Sequence, residues 1–259
     1  MMTNCNNIPD NTHGFRAPSI ALGFHTELLL FGIRETIFLD LAQEPHSIVL
    51  GSTGSGKTYA LLSILHALSW RKEIWLFIAD FKGIDFTELQ GCPRYYQYMQ
   101  VSQVLSTVYA QLQRRMQQAR TKQKPMRPIV LVIDEWAAYL SCLEKSEAEQ
   151  RKKQLSTILM LGRGVRIYCI LSLQRGDAAY FERARDNIGH VLMLGSGLSK
   201  ESLRMWCDSD EISQIVPYNC GRGKGYLKTG STLIPVTIPK IRNMESVFSD
   251  IRESLSRRD

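Results

Sequence analysis

The stretch SIVLGSTGSGKTYALLSIL, residues 47–65, constrains this chain more than any other. A short β-branched run ends in Gly51, a loop holding Gly54 and Gly56 follows, and apolar residues then recur at Ala60, Leu61, Ile64, Leu65 and Leu68. That recurrence has the 3.6-residue period of a helix, whereas the run before Gly51 reads as a strand. Strand, glycine loop and helix form the setting in which G-x-x-x-x-G-K-[ST], here Gly51 to Thr58, makes a phosphate cradle. Without bulky side chains in the way, the backbone of Gly51, Ser52, Thr53, Gly54, Ser55 and Gly56 can curl its N–H groups around phosphate oxygens. The helix that follows adds its positive end. In this reading Lys57 reaches the β- and γ-phosphates of a nucleoside triphosphate, and Thr58 holds Mg²⁺.

The rest of the chain supplies a matching scaffold. Strand-like runs occur at 36–42, 73–80, 129–136, 166–173 and 190–195, and helical stripes at 57–70, 101–116 and 145–162. Residues 223–240 read as a hairpin around Thr229 and Gly230, with a short last helix after it. Alternating strands and helices predict an α/β fold: a mostly parallel central sheet, helices on both faces, and a C-terminal β-hairpin. Residues 1–19 are polar and without period, a flexible lead-in. With no internal repeat and no Gly/Ser-rich linker, residues 20–259 are expected to form one domain.

A second group of candidate residues sits at the ends of later strands. IVLVIDEW, from Ile129, is a continuous apolar run closed by two acids, as expected of a central strand covered on both faces. At its carboxyl end Asp134 can hold Mg²⁺ through water, and Glu135 can act as general base toward the attacking water. Gln174, after the strand ending LSL, would stand at the same sheet edge and sense the γ-phosphate; it also reads as an ordinary polar loop residue. Arg163 lies between two glycines just past a helix. It reads either as a finger into a neighbouring subunit's site or as a surface arginine at a helix C-terminus, where the dipole favours it.

Composition narrows the classes. The chain has 259 residues, 44% hydrophobic and 22% charged, a globular balance. The formal charge of +7 suits a polyanionic partner or a solvated basic surface. Six cysteines lie far apart with no C-x-x-C pair, which favours free thiols over a zinc site. The nearest approach to a membrane span, IALGFHTELLLFGI, is broken by His25, Thr26 and Glu27, and the polar N-terminus lacks the order of a secretion signal. A cytoplasmic protein without membrane insertion is the expectation.

Several further segments resemble, in order, the motor domain of the FtsK/HerA superfamily on the FtsK side. PHSIVLGSTGSGKT resembles its cradle with the leading Pro-His, FIADFK its second-strand Asp-x-Lys, and IVLVIDEWAAYL its acid pair. LGRGVRIYCILSLQR resembles its arginine turn, strand and Gln-Arg; ARDNIGHVLMLGSGLSKESLRMW and GRGKGYLKTG resemble its later strand and hairpin. The resemblance spans about residues 20–240. It implies a RecA-like P-loop NTPase and a homo-oligomeric, hexameric ring that threads double-stranded DNA at the expense of ATP. By position it keeps the roles of Lys57, Thr58, Asp134 and Glu135, makes Gln174 the γ-phosphate sensor, and makes Arg163 the finger acting in trans. Arg175, Lys200 and Arg204 fall where DNA-backbone contacts are expected, or are solvated surface charge. Three departures stand out: Gly176 where a proline usually follows Gln-Arg, Phe81 inside Asp-x-Lys, and Gly189-His190-Val191 where an arginine is often found. The length leaves no room for membrane helices or a winged-helix domain, which points to a motor serving replication or transfer of a mobile element. A coupling ATPase for conjugative secretion, with a replication or conjugation partner protein, and an ATP-gated assembly or adaptor module are the alternatives.

Overall fold

The computed structural model describes residues 17–121 and 126–257. The N-terminal part comprises β1 (Ser19–His25), α1 (Thr26–Leu30), β2 (Thr36–Asp40), β3 (His46–Gly51), α2 (Lys57–Ser69), β4 (Trp75–Asp80), β5 (Tyr95–Gln97) and α3 (Val101–Arg120). After it come β6 (Ile129–Asp134), α4 (Trp136–Ser141), α5 (Lys145–Leu161), β7 (Ile167–Leu173) and β8 (His190–Leu194). Next are α6 (Lys200–Trp206), α7 (Ser209–Ser213), the hairpin strands β9 (Lys224–Thr229) and β10 (Thr232–Thr237), and α8 (Met244–Ser256). Of the polar lead-in, residues 1–16 lie outside the described residues, and Ser19 already belongs to β1.

The ten strands among the described residues join one sheet in the order β2-β1-β10-β9-β8-β3-β7-β6-β4-β5. From β8 to β5 every pairing is parallel. The other end is an antiparallel wing of β9, β10, β1 and β2. The run at 36–42 forms the outer strand of that wing. The sequence pattern had not marked β1, because SIALGFH alternates poorly. It is irregular in register between Ala21 and Gly23, and a Cβ at Gly23 would lie 2.4 Å from the Thr237 carbonyl oxygen.

The parallel strands are buried on both faces, which explains their unbroken apolar runs. Along β6, Ile129, Leu131 and Ile133 enter the core shared with α3, α4 and α5. Val130 and Val132 enter the core shared with α2 and α8. Helix α3 presents Val101, Val104, Leu105, Val108 and Leu112 to the first core. Helix α2 presents Leu61, Leu65 and Leu68 to the second. With side chains alternating along each strand and helices on either side, the carboxyl ends of β3, β4, β6 and β7 are brought to one edge. That edge is where open α/β sheets hold ligands.

Candidate active site

The cradle begins where β3 stops at Gly51. Gly56, the residue before α2, has φ 100°, a left-handed conformation that suits glycine. A Cβ there would also meet Gly223 N at 2.9 Å, so both backbone and space require glycine. The loop is tied down by Gly223 N–H donating to Ser55 O at 2.8 Å and by Ser55 N–H donating to Ser52 O at 3.1 Å. No side chain caps α2, so its first-turn N–H groups stay available to an anion.

Two strands away, β6 delivers its acids. Asp134 and Glu135 are each 2% exposed. Glu135 has φ 54° and ψ 45°, a left-handed turn by a non-glycine residue, costing about 1–2 kcal/mol. What the turn achieves is a junction between β6 and α4 that throws the carboxylate toward the cradle. There Oε1 accepts a hydrogen bond from Lys82 Nζ at 2.7 Å and one from Gln174 Nε2 at 3.2 Å, and lies 3.6 Å from Lys57 Nζ. Burial alone would push the Glu135 carboxyl up, but the Lys82 hydrogen bond and the charge of Lys57 hold it below the usual range. Burial lowers Lys57, with Glu135 opposing, whereas Lys82 is raised because Glu135 outweighs its partial burial.

Asp134 has the opposite character. Burial pushes it up to about 6, against the pull of the adjacent Ser172 hydroxyl. Its Oδ2 is buried without a hydrogen-bond partner, as is Ser55 Oγ. Orphaned polar atoms of this kind at one sheet edge are what a bound cation and phosphate would satisfy. Thr58 Oγ1 makes only a 3.4 Å contact to Asp85 Oδ2 and is free to turn. Among the described residues no group of three or more His, Cys, Asp or Glu could hold a metal by itself. The donor set of Thr58 and Asp134 therefore fits a Mg²⁺ ion shared with phosphates rather than an all-protein site. Beside Gly56 and Tyr59 opens a cavity of about 1040 Å³ lined by Arg34, Arg222, Lys240 and Arg242 among others, large enough for a nucleoside.

The remaining candidates are placed as follows. Arg163 is exposed in the turn Gly162–Val165 ahead of β7 and donates to the Ala42 carbonyl at 3.4 Å. It stands at the amino end of a seven-residue strand whose carboxyl end leads to Gln174, so roughly 20 Å separate it from its own cradle. Arg175 is exposed beside Gln174, and Lys200 and Arg204 are exposed one turn apart on α6. The departures from the resemblance have local reasons. A Cβ at Gly176 would lie 2.4 Å from Trp206 Nε1, so the indole of α6 occupies the space a proline would need. Phe81 is buried and stacks on Tyr98 with ring centroids 5.5 Å apart. His190 is buried and accepts from Asp40 N–H at 2.9 Å.

Residues 25–127 match the FtsK/SpoIIIE family. The FtsK domain-containing protein YdcQ of Bacillus subtilis (strain 168) is 26% identical over 204 residues, 73% of this chain and 42% of that protein. Both likenesses support an FtsK-type domain. The chain spans less than half of YdcQ. The family match ends before Asp134; the likeness to YdcQ covers more of the chain, and the fold is that of P-loop ATPases. The conjugation coupling protein TcpA of pCW3, in a monomer form with ATPγS, superposes with a TM-score of 0.70 at 18% identity, covering 90% of this chain and 70% of TcpA. The cytoplasmic domain of the type VII secretion ATPase EccC of Thermomonospora curvata gives 0.71 at 20%, covering 95% of this chain and 32% of EccC. No helix among the described residues is long and apolar enough to cross a membrane.

Sequence reasoning overlooked Lys82 and Asp85 as site residues. The Asp80-Phe81-Lys82 segment was noticed as a motif, but nothing in the sequence says that the end of β4 meets the end of β6. Their pairing sets Asp80 opposite Asp134.

Proposed function

We propose that this chain is an ATP-hydrolysing motor acting on double-stranded DNA, assembled in the cytoplasm as a homo-oligomeric, hexameric ring and serving replication or transfer of a mobile element. The observation that carries hydrolysis is the convergence of Lys57, Gln174 and the strained Glu135 beside an unpartnered Asp134 oxygen. Backbone N–H groups of Gly51 to Thr58 and the Lys57 ammonium bind and orient the phosphates. Thr58 and Asp134 would hold Mg²⁺, which when bound draws charge from the β- and γ-phosphates. Glu135, ionised at neutral pH, takes the proton of the attacking water, and Gln174 reports the γ-phosphate by its contact with Glu135.

DNA as substrate is supported by placement rather than by fold, since a conjugation coupling protein and a secretion ATPase share the fold. Arg175 sits on the loop after β7, and α6 with Lys200 and Arg204 abuts that loop through Trp206 against Gly176. None of the three makes a hydrogen bond or ion pair among the described residues, so all remain available to phosphates. The test is steady-state ATP hydrolysis with and without long double-stranded DNA at two salt concentrations. DNA stimulation that fades as salt rises is expected, since phosphate contacts release counterions. Lys57→Ala is expected to abolish hydrolysis. A slow wild-type rate indifferent to DNA would remove the motor reading in favour of a secretion or assembly ATPase. Normal turnover by Lys57→Ala would remove the cradle assignment.

A further inference from the structure

We infer that Lys82 is a positioning residue for hydrolysis: it grips Glu135 by Oε1 and takes over as that carboxylate's cation when Lys57 is drawn to the phosphates. The inference rests on the reading of Glu135 as general base.

The platform of Lys82 is rigid. On one side of it, Asp80 accepts the Gly83 N–H at 2.9 Å and the Tyr95 hydroxyl at 3.0 Å, which clamps the turn leaving β4. Next to it, Phe81 is buried against Tyr98 and Tyr139. Lys82 itself points elsewhere: its ammonium gives Glu135 Oε1 the shortest contact that carboxylate makes, 2.7 Å. Its side chain is 34% exposed and that of Glu135 2%, so the pair is screened by solvent on the lysine side only. A buried carboxylate left without a cation is costly, which is why a dedicated partner matters.

Lys57 cannot serve in that capacity throughout the cycle. It lies farther from the same oxygen, at 3.6 Å, and the cradle commits it to the nucleotide. Gln174 offers only a neutral N–H at 3.2 Å. With Lys57 engaged by phosphates, Lys82 is the full positive charge still bonded to Glu135. Held by Oε1, the carboxylate keeps one orientation and offers Oε2, which bonds to no described residue, to the water's proton. A charge-assisted bond of this length sets both position and basicity.

The experiment compares full-length wild type with Lys82→Met, Lys82→Arg and Glu135→Gln, measuring affinity for a fluorescent ATP analogue, kcat, KM and the pH profile of kcat. Lys82→Met should lower kcat by about 10- to 100-fold while nucleotide affinity stays within about twofold. Its acid limb should move to higher pH, because the carboxylate loses a bond that favoured its charged form. Lys82→Arg should recover most of kcat. Loss of nucleotide affinity by about tenfold or more with an unmoved acid limb would make Lys82 a phosphate ligand and overturn the inference. A lowered melting temperature with an unmoved limb would reduce it to a structural ion pair. If Glu135→Gln is inactive while Lys82→Met is normal, the Lys82 role alone falls. If Glu135→Gln turns over normally, the base reading falls and takes the Lys82 role with it.

Discussion

At the scale of single residues, Asp134 and His46 make opposite demands on pH. Burial raises Asp134 from 3.8 to about 6, so between those values the folded chain holds a proton that the unfolded chain has released. Stability from this group is present below about 4 and is lost as pH rises through about 6, on the order of 3 kcal/mol in all. His46 is buried and accepts Cys169 N–H on Nδ1 at 3.0 Å; burial lowers it from 6.5 to about 4. Its contribution is present above about 6.5 and lost as pH falls through about 4. The histidine is common to wild type and Asp134→Asn and cancels in their difference. Without nucleotide or metal, Asp134→Asn should therefore be more stable than wild type at pH 7 by on the order of 2–3 kcal/mol, with the advantage vanishing near pH 4. Urea titrations across that range check it; an advantage independent of pH would mean that Asp134 is not a buried, unpaired charge. Under the proposed function the same variant should also lose Mg²⁺-dependent nucleotide binding, because the destabilising carboxylate is the proposed ligand of the ion.

At the scale of elements, the informative contact is between the loop after β7 and α6. Gly176 admits the Trp206 indole, which is 8% exposed and packs edge-on to Phe181 with centroids 6.0 Å apart. Gly176→Ala would push a Cβ to 2.4 Å from Trp206 Nε1. One side must move, at a cost of about 1–3 kcal/mol. The expected result is a lower denaturation midpoint together with changed tryptophan fluorescence. In a Trp206→Leu background the added methyl should cost little. An equal penalty in both backgrounds would place the strain elsewhere. Because Arg175 precedes this glycine and Lys200 and Arg204 lie on α6, the proposed function predicts that DNA affinity falls with the packing. The loop and helix then act as one unit.

At the scale of the molecule, Arg163 lies at the amino edge of the parallel strands and the cradle at their carboxyl edge. Within one subunit they do not meet, so a catalytic role for Arg163 requires a neighbour. Arg163→Ala subunits should then poison mixed assemblies, with ATPase activity falling faster than the wild-type fraction; a finger of this kind is worth about 10³–10⁵ in rate. Activity strictly proportional to the wild-type fraction would assign Arg163 to the surface, at the end of α5. Light scattering with a slowly hydrolysed ATP analogue tests the proposed ring directly.

The cradle was legible in the sequence because its chemistry is local: Gly51 to Thr58 are contiguous, and their strand and helix flanks have distinct periods. Asp134 and Glu135 were legible for the same reason, as acids closing an apolar run. The central strands β3, β6, β7 and β8 and the hairpin could be read from burial on both faces and from the turn at Gly230. Strand order could not, because pairing is non-local and many orders satisfy the same apolar runs. It was tertiary structure that sent β2 to the outer edge and laid β4 against β6, bringing Lys82 onto Glu135 across 53 positions of sequence. It also decided that Trp206 fills the space at Gly176 and that Arg163 faces away from its own cradle. Phosphate-binding chemistry depends on consecutive backbone groups, which a sequence displays. The charge balance around Glu135 depends on which strand ends lie side by side, which only folding settles.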